Sequence, residues 1–119
     1  MKASAQSERP ARPEDGTLET VRPDFQVAVE LIGRRWSGSI LWALGGGPQY
    51  FADIIQAVPG LSDRLLSERL RELEQHELVE RCVHPGAPAR VSYALTKKGD
   101  ALIPVLSDLQ AWAKSWNRA

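Results

Sequence analysis

The sequence predicts a mainly α-helical domain that carries one β-hairpin, an α+β fold. Five segments place apolar residues at the three- and four-residue spacing of helices. Two short runs after the fourth of these segments have the composition or the alternation of strands. The helical segments are residues 23–33, 36–44, 51–58, 62–77 and 97–116, and the strand-like runs are residues 78–84 and 90–96.

The composition indicates one globular domain. A chain of 119 residues is long enough for one core. Its 15 basic and 15 acidic residues balance, so DNA binding would require basic side chains to cluster on one face.

The single cysteine, Cys82, excludes a disulfide within the chain and fits a reducing compartment. No apolar run resembles a signal peptide or spans a bilayer, so we expect a cytoplasmic protein without a membrane partner. We expect no cofactor.

The first 22 residues differ in character from the rest of the chain. They are polar, with mixed charge and two prolines, and offer almost nothing to bury. We therefore predict a disordered tail at 1–22 and one folded domain at 23–117.

The first helical segment is apolar nearly all round. Asp24 is a suitable N-cap and Gly33 a suitable terminating residue, and between them only Gln26 and Glu30 are polar. Such a helix needs cover on more than one side, which in a small protein favours a partner chain. In the second helix, residues 36–44, Trp42 points away from the apolar stripe, which consists of Trp36, Ile40, Ala43 and Leu44.

Residues 51–77 have the parts of a helix-turn-helix. A short helix is followed by the turn PGLS at 59–62 and by a longer helix with Ser62 as its N-cap. At about 100° per residue, one face of the long helix carries leucines and the other carries polar side chains that suit bases and phosphates. The leucine face is Leu66, Leu70 and Leu73, and the polar face is Arg64, Ser67, Glu68, Arg71 and Gln75.

The polar face supplies the candidates for DNA contact. Residues near the helix N-terminus enter a groove first, so Ser62, Asp63, Arg64 and Ser67 are predicted to contact bases, and Arg71 a phosphate. The alternative is a solvated face with arginine–glutamate pairs. Arg69 falls within the leucine arc and is predicted to form a structural ion pair. A coiled coil is excluded because the leucine pattern lasts about two heptads.

The two strand-like runs are predicted to form a hairpin. Residues 85–89, PGAPA, form the loop between them. In the second run Val91, Tyr93 and Leu95 alternate with polar or small residues. A hairpin directly after a helix-turn-helix is a wing, so the predicted architecture is a winged helix-turn-helix.

The last segment is predicted to be one helix, capped by Thr96 and bent at Pro104. Its long apolar stripe suits either the domain's own core or a second subunit, and its tryptophans favour an interface. The stripe consists of Leu102, Val105, Leu106, Leu109, Trp112, Ala113 and Trp116.

Residues 27–116 resemble the HxlR-type winged-helix transcriptional regulators, relatives of the MarR proteins. The resemblance is carried, in family order and spacing, by LIGRRWSGSILWAL, GPQYF, PGLSDRLLSERLRELEQHELVER, PARVSYALTKKG and LSDLQAWA. It is strongest to the quinone- and diamide-responsive repressors of that family.

The resemblance implies a homodimer that binds an inverted-repeat DNA operator, with repression as the commoner mode. The implied DNA-reading residues are Ser62, Arg64, Ser67 and Arg71, with Arg90 on the wing. The first and last helices would form the dimer. Their interface residues would be Val27, Leu31, Leu102, Leu106, Leu109, Trp112 and Trp116.

Two departures from the family pattern are visible. Many members sense oxidants through a cysteine before the first helix, where this chain has Arg22 and its neighbours, while Cys82 lies in a wing strand. Relatives also usually carry two basic residues where this chain has Gln49 and Tyr50. The first departure leaves two alternatives to a thiol switch, a constitutive regulator or one controlled by a small aromatic effector at the dimer interface. Its predicted contacts are Phe25, Trp42, Trp112 and Trp116, whose alternative role is plain dimer core.

Catalysis and metal binding are the alternatives to DNA binding that the cysteine and the histidines raise. Cys82 and His84 share one side of a strand and His76 lies nearby in sequence, but an exposed hairpin offers no catalytic cleft, and the spacing does not suit zinc. We therefore expect neither an enzyme nor a metal site. Two alternatives stay open: a winged-helix protein-interaction module without DNA binding, and a redox sensor that acts through Cys82.

Overall fold

The computed structural model describes residues 20–117. Of the tail predicted at 1–22, residues 1–19 therefore lie outside the described part of the chain. The elements, in order, are α1 (Pro23–Gly33), α2 (Ser37–Leu44), β1 (Gln49–Tyr50), α3 (Phe51–Ala57), α4 (Asp63–Gln75), β2 (Val79–His84), β3 (Arg90–Leu95), α5 (Lys97–Asp100) and α6 (Ile103–Trp116). The chain divides into two compact units after Glu30.

The first unit contributes most of α1. The helix begins at Pro23, so Asp24 lies in its first turn and is not the N-cap that the sequence predicted. Proline is favoured there because the first helical N–H has no intrahelical partner. Arg22 donates from Nε and Nη2 to the two carboxylate oxygens of Asp24, at 3.0 and 2.8 Å. This pairing lowers the pKa of Asp24. Phe25, Val27 and Val29 are exposed.

The core of the second unit lies between α2, α3, α4, α6 and the sheet. Each helix contributes the residues of one apolar face, as helical periodicity requires. The buried apolar residues are Ile40, Leu41, Leu44, Ile54, Val58, Leu61, Leu66, Leu70, Leu73, Leu78, Val79, Tyr93 and Leu106.

The sheet has three antiparallel strands in the order β1-β3-β2. The hairpin was predicted from the sequence, whereas the two-residue strand β1 was not, because two residues carry no periodic signal. Its pairing makes β3 the central strand, with Tyr50 opposite Ser92. Ser92 is consequently buried, although the alternation of β3 suggested an exposed side chain.

The last helical segment is not one bent helix. It is divided into α5 and α6 at residues 101–102, and Pro104 lies in the first turn of α6, where its missing N–H removes no helical hydrogen bond. Thr96 caps α5 as predicted, since its Oγ1 accepts a hydrogen bond from Gly99 N at 3.1 Å. A Cβ at Gly99 would overlap the carbonyl of Leu78, so this close approach requires glycine.

No helix within residues 20–117 is long and apolar enough to cross a membrane.

Candidate nucleic-acid interface

The inner face of α4 anchors this helix in the core. Leu66, Leu70 and Leu73 are fully or almost fully buried. Arg69 is also buried, at 8% exposure. Its Nε donates to the carbonyl oxygen of Arg35 at 2.8 Å, and its Nη1 lies 3.5 Å from Glu72 Oε2. The predicted structural role of Arg69 is therefore confirmed.

The outer face of α4 presents two arginines. Arg64 and Arg71 are exposed, and Ser67 lies half-buried between them. Because these positions are three and four residues apart, they form one stripe along the helix. Arg71 has no ion-pair partner within residues 20–117, so its charge is available to a phosphate.

Arg64 forms an ion pair with Glu68, but its side chain remains exposed to solvent. Its Nε lies 3.2 Å from Glu68 Oε2, and its side chain is 85% exposed. An exposed pair of this kind contributes about 0.3–0.5 kcal/mol, so exchanging Glu68 for a DNA group costs little. Glu68 nevertheless places a negative charge beside the stripe, as the sequence indicated.

The start of α4 is formed by Ser62 and Asp63. Ser62 Oγ accepts a hydrogen bond from Leu65 N at 3.1 Å, which caps the helix. The hydroxyl proton of Ser62 is still available to an acceptor. Asp63 is exposed in the first turn, where its carboxylate interacts favourably with the helix dipole and disfavours an approaching phosphate.

The turn before α4 rests on Trp36. Gly60 has φ +89°, and a Cβ there would lie 3.2 Å from the Trp36 ring. Trp36 itself adopts φ 80°, so α2 begins at Ser37 and not at residue 36, where the sequence predicted its start. The left-handed conformation of Trp36 was not predictable, since large side chains rarely adopt it.

The wing contributes Arg90, which is exposed at the start of β3. The guanidinium carbon of Arg90 lies 3.6 Å from the centroid of the Tyr50 ring. From the sequence, Gln49 and Tyr50 were interpreted only as the loss of two basic residues. The contact between Tyr50 and the wing arginine was not predicted, because it depends on the pairing of β1 with a strand far away in the chain.

The predicted dimer residues of α6, together with Leu102 directly before it, divide into two sets. Leu106 is buried and Leu102 is half-buried against the chain's own core, and their part in a dimer stays a prediction. The remaining apolar stripe of α6 is more than half exposed. It consists of Val105, Leu109, Trp112 and Trp116. In α1, Val27 is exposed and Leu31 is half-buried.

The predicted aromatic effector site is only partly assembled in the single chain. Trp42 is 40% exposed and, with Leu109 and Ala113 of α6 and Val58 and Pro59 of the turn, lines an open apolar groove of about 430 Å³. The predicted contacts Trp112 and Trp116 do not line this groove. Phe25 belongs to the other unit and is exposed.

A short helix, a glycine turn, a longer helix with an exposed arginine stripe and an antiparallel hairpin define a winged helix-turn-helix domain. The family model described as HxlR-like helix-turn-helix matches residues 31–119. The chain therefore belongs to the HxlR-like helix-turn-helix family.

Individual relatives agree with this assignment. The chain is 47% identical over 94 residues to the HTH-type transcriptional regulator YodB of Bacillus subtilis (strain 168). The aligned region covers 79% of this chain and 84% of YodB. The structure of reduced YodB matches with a TM-score of 0.73 and 43% identity over 83% of this chain and 97% of that one. The redox regulator HypR in its reduced form matches with a TM-score of 0.73 and 29% identity over 77% of this chain and 91% of that one. A structure described as a MarR-family regulator from Enterococcus faecalis V583 matches with a TM-score of 0.71 and 31% identity over 85% of this chain and 93% of that one.

Proposed function

We propose that this protein is a homodimeric transcriptional repressor of the cytoplasm that binds an inverted-repeat DNA operator and catalyses no reaction. The observation that carries the proposal is the division of α4. Its inner face is buried with Arg69, while Arg64, Ser67 and Arg71 form a polar stripe on its outer side. A helix held in this way directly after a tight turn is suited to the major groove.

The residues of the stripe would have different roles. Ser62, Arg64 and Ser67 lie towards the N-terminus of α4 and would contact base edges. Arg71, one to two turns further along, would contact a phosphate, and Arg90 would bind the backbone beside the wing. Asp63 was also predicted to contact bases. Its carboxylate can accept a hydrogen bond from a cytosine amino group, which would contribute specificity and not phosphate affinity.

A dimer is part of the proposal because one recognition helix reads only a half-site. The stripe of Val105, Leu109, Trp112 and Trp116 is continuous along α6 and more than half exposed. Exposed large apolar residues of this kind mark protein interfaces. We propose that this face of α6, together with the apolar residues of α1, forms the dimer. The two α4 helices would then lie about 34 Å apart, as successive major grooves require.

The experiment that tests the function is selection from random double-stranded DNA with the purified protein, followed by fluorescence anisotropy at two salt concentrations. We expect an enriched inverted repeat, with half-sites about 10 base pairs apart, and binding that weakens as salt rises. An intact dimer that enriches no sequence and binds no DNA would instead identify a protein-interaction module.

Regulation by a small aromatic molecule is proposed from Trp42. A tryptophan that is 40% exposed in an open apolar groove offers a face on which a planar ring can stack. The groove is also lined by Val58 and Pro59, which precede α4. A ligand that binds one arrangement of these residues better than another would therefore change DNA binding. Titration of the protein with aromatic compounds, monitored by tryptophan fluorescence, tests this. A Trp42→Leu variant that responds as the unmodified protein does would exclude the groove.

A further inference from the structure

The outer face of the sheet carries a cluster of aromatic and polar side chains at the base of the wing. The strand register places Tyr50 opposite Ser92 and His84 opposite Arg90. Arg90 and Ser92 are two residues apart on β3, so their side chains leave the same face of the sheet. Tyr50 and Arg90 are therefore diagonal neighbours across two strands, a separation that long side chains can bridge.

The side chains of this cluster form a chain of contacts from Arg90 through Tyr50 and His84 to Ser92. The guanidinium carbon of Arg90 lies 3.6 Å from the Tyr50 ring centroid, well within the range of about 6 Å for a cation–π interaction. The His84 ring meets Tyr50 edge-on, with centroids 5.7 Å apart. His84 Nε2 lies 2.8 Å from the hydroxyl of Ser92, which is buried. The Tyr50 ring therefore contacts both the Arg90 guanidinium and the His84 ring.

The backbone of Tyr50 is tied to the helix-turn-helix. Its N–H donates to Asp53 Oδ2 at 3.2 Å, directly at the start of α3. The ring beneath Arg90 is therefore attached both to the sheet and to the first helix of the motif.

We propose that Tyr50 is a positioning residue for DNA binding, which holds the Arg90 guanidinium ready for a backbone phosphate beside the wing. This inference rests on the proposed function. An unsupported arginine loses conformational freedom when it binds a phosphate, and stacking on a ring transfers that loss from binding to folding. The stacked guanidinium retains its N–H donors for phosphate oxygens. A better-ordered arginine at position 90 would thereby offset the absence of a basic residue at position 50.

A double-mutant cycle tests the inference. The variants are Tyr50→Leu, Arg90→Gln and their combination, measured by anisotropy on the selected operator across a salt series. We expect Tyr50→Leu to weaken binding roughly threefold to tenfold in the unmodified background and to have no effect when Arg90→Gln is present. Arg90→Gln should reduce the salt slope by about 1, whereas Tyr50→Leu should leave the slope unchanged. Tyr50→Phe keeps the aromatic ring, so it should bind the operator as tightly as the unmodified protein does.

Two further measurements keep the test independent of folding defects. Arg90→Lys retains the charge but not the planar group, so we expect a loss of affinity similar to that of Tyr50→Leu. In the free protein, the side-chain NMR signals of Arg90 should show a ring-current shift that disappears in Tyr50→Leu and persists in Tyr50→Phe.

The possible failures are distinguishable. If the unmodified protein binds DNA and Tyr50→Leu weakens binding equally with and without Arg90→Gln, Tyr50 acts through general structure and the positioning role is wrong. Tighter binding by Tyr50→Leu would show that Tyr50 sequesters Arg90, and it would also overturn the inference. If the unmodified protein binds no DNA, the proposed function fails and this inference fails with it.

Discussion

Arg69 Nε donates a hydrogen bond to the carbonyl oxygen of Arg35 at 2.8 Å. This bond joins α4 to the loop before α2. The same loop is held by a second contact, in which Arg34 Nη2 lies 3.1 Å from Glu72 Oε2. The position of α4 therefore depends on polar contacts at its inner edge as well as on its leucines.

Removal of Arg69 is expected to destabilise the fold. Arg69→Ala leaves the Arg35 carbonyl without its donor and deletes a largely buried side chain, which should lower the free energy of unfolding by about 2–3 kcal/mol. Arg71→Ala, two positions further along the same helix, removes an exposed arginine and should change it by less than about 0.5 kcal/mol. Urea denaturation followed by circular dichroism measures both. Equal losses of unfolding free energy in the two variants would show that the buried and exposed faces of α4 are wrongly assigned.

Substitution in the turn before α4 is expected to be costly for two reasons. Gly60→Ala forces a side chain into φ +89° and brings its Cβ to 3.2 Å from the Trp36 ring. We expect a loss of about 1–3 kcal/mol, measured by thermal and urea unfolding. Gly46→Ala is the matched control, because no atom lies within 4 Å of a Cβ there. It should be neutral or stabilising by up to about 1 kcal/mol. A neutral Gly60→Ala would contradict the packing of Trp36 beneath the turn.

The two arginines of the outer stripe should affect DNA binding differently. Arg64→Ala should cost about 1–3 kcal/mol on the selected operator and relax specificity at one position of each half-site. Arg71→Ala should weaken binding to all sequences and lower the salt slope by about 1. Anisotropy on operator and scrambled DNA separates the two patterns. Lys97→Ala removes the same charge from α5, beyond the C-terminal end of α4, and should have neither effect.

The exposed face of α6 is expected to determine the oligomeric state. Leu109→Glu places a charge in the centre of a stripe that is 51–65% exposed in the single chain, so the dimer should dissociate at micromolar concentration. Ser107→Glu adds the same charge on a different side of α6 and should leave the dimer intact. Sedimentation equilibrium distinguishes the two. A Leu109→Glu dimer of unchanged stability would place the interface elsewhere.

Cys82 is expected to have no role as a switch. It is exposed on β2, opposite Ser92, and it is the only thiol of the chain. A disulfide within the chain is impossible, and diamide could act only by joining Cys82 to a thiol of another molecule. Because Cys82 lies in a wing strand and not before the first helix, we expect diamide to leave DNA binding unchanged in both the unmodified protein and Cys82→Ser. Gel shift after diamide or quinone treatment, with the modification followed by mass spectrometry, tests this. Loss of binding that Cys82→Ser abolishes would establish the thiol sensor instead.

The sequence was informative wherever a long periodic pattern was present. The leucines of α4 determined which of its faces is buried, and this also placed Arg69 inside and Arg64 and Arg71 outside. The PGLS turn and the PGAPA loop indicated the helix-turn-helix and the hairpin, because proline and glycine restrict local conformation in ways that can be recognised along the chain. Local patterns of this kind need no knowledge of distant residues.

Features that depend on distant contacts required the three-dimensional structure. The strand β1 is only two residues long, and its pairing with β3 alone brings Tyr50 to Arg90 and buries Ser92. The left-handed Trp36, the division between α5 and α6, and the burial of Leu106 in the chain's own core have the same origin. Each is stabilised by residues far away in the chain, and the energy of such packing exceeds the small local preferences that a sequence displays.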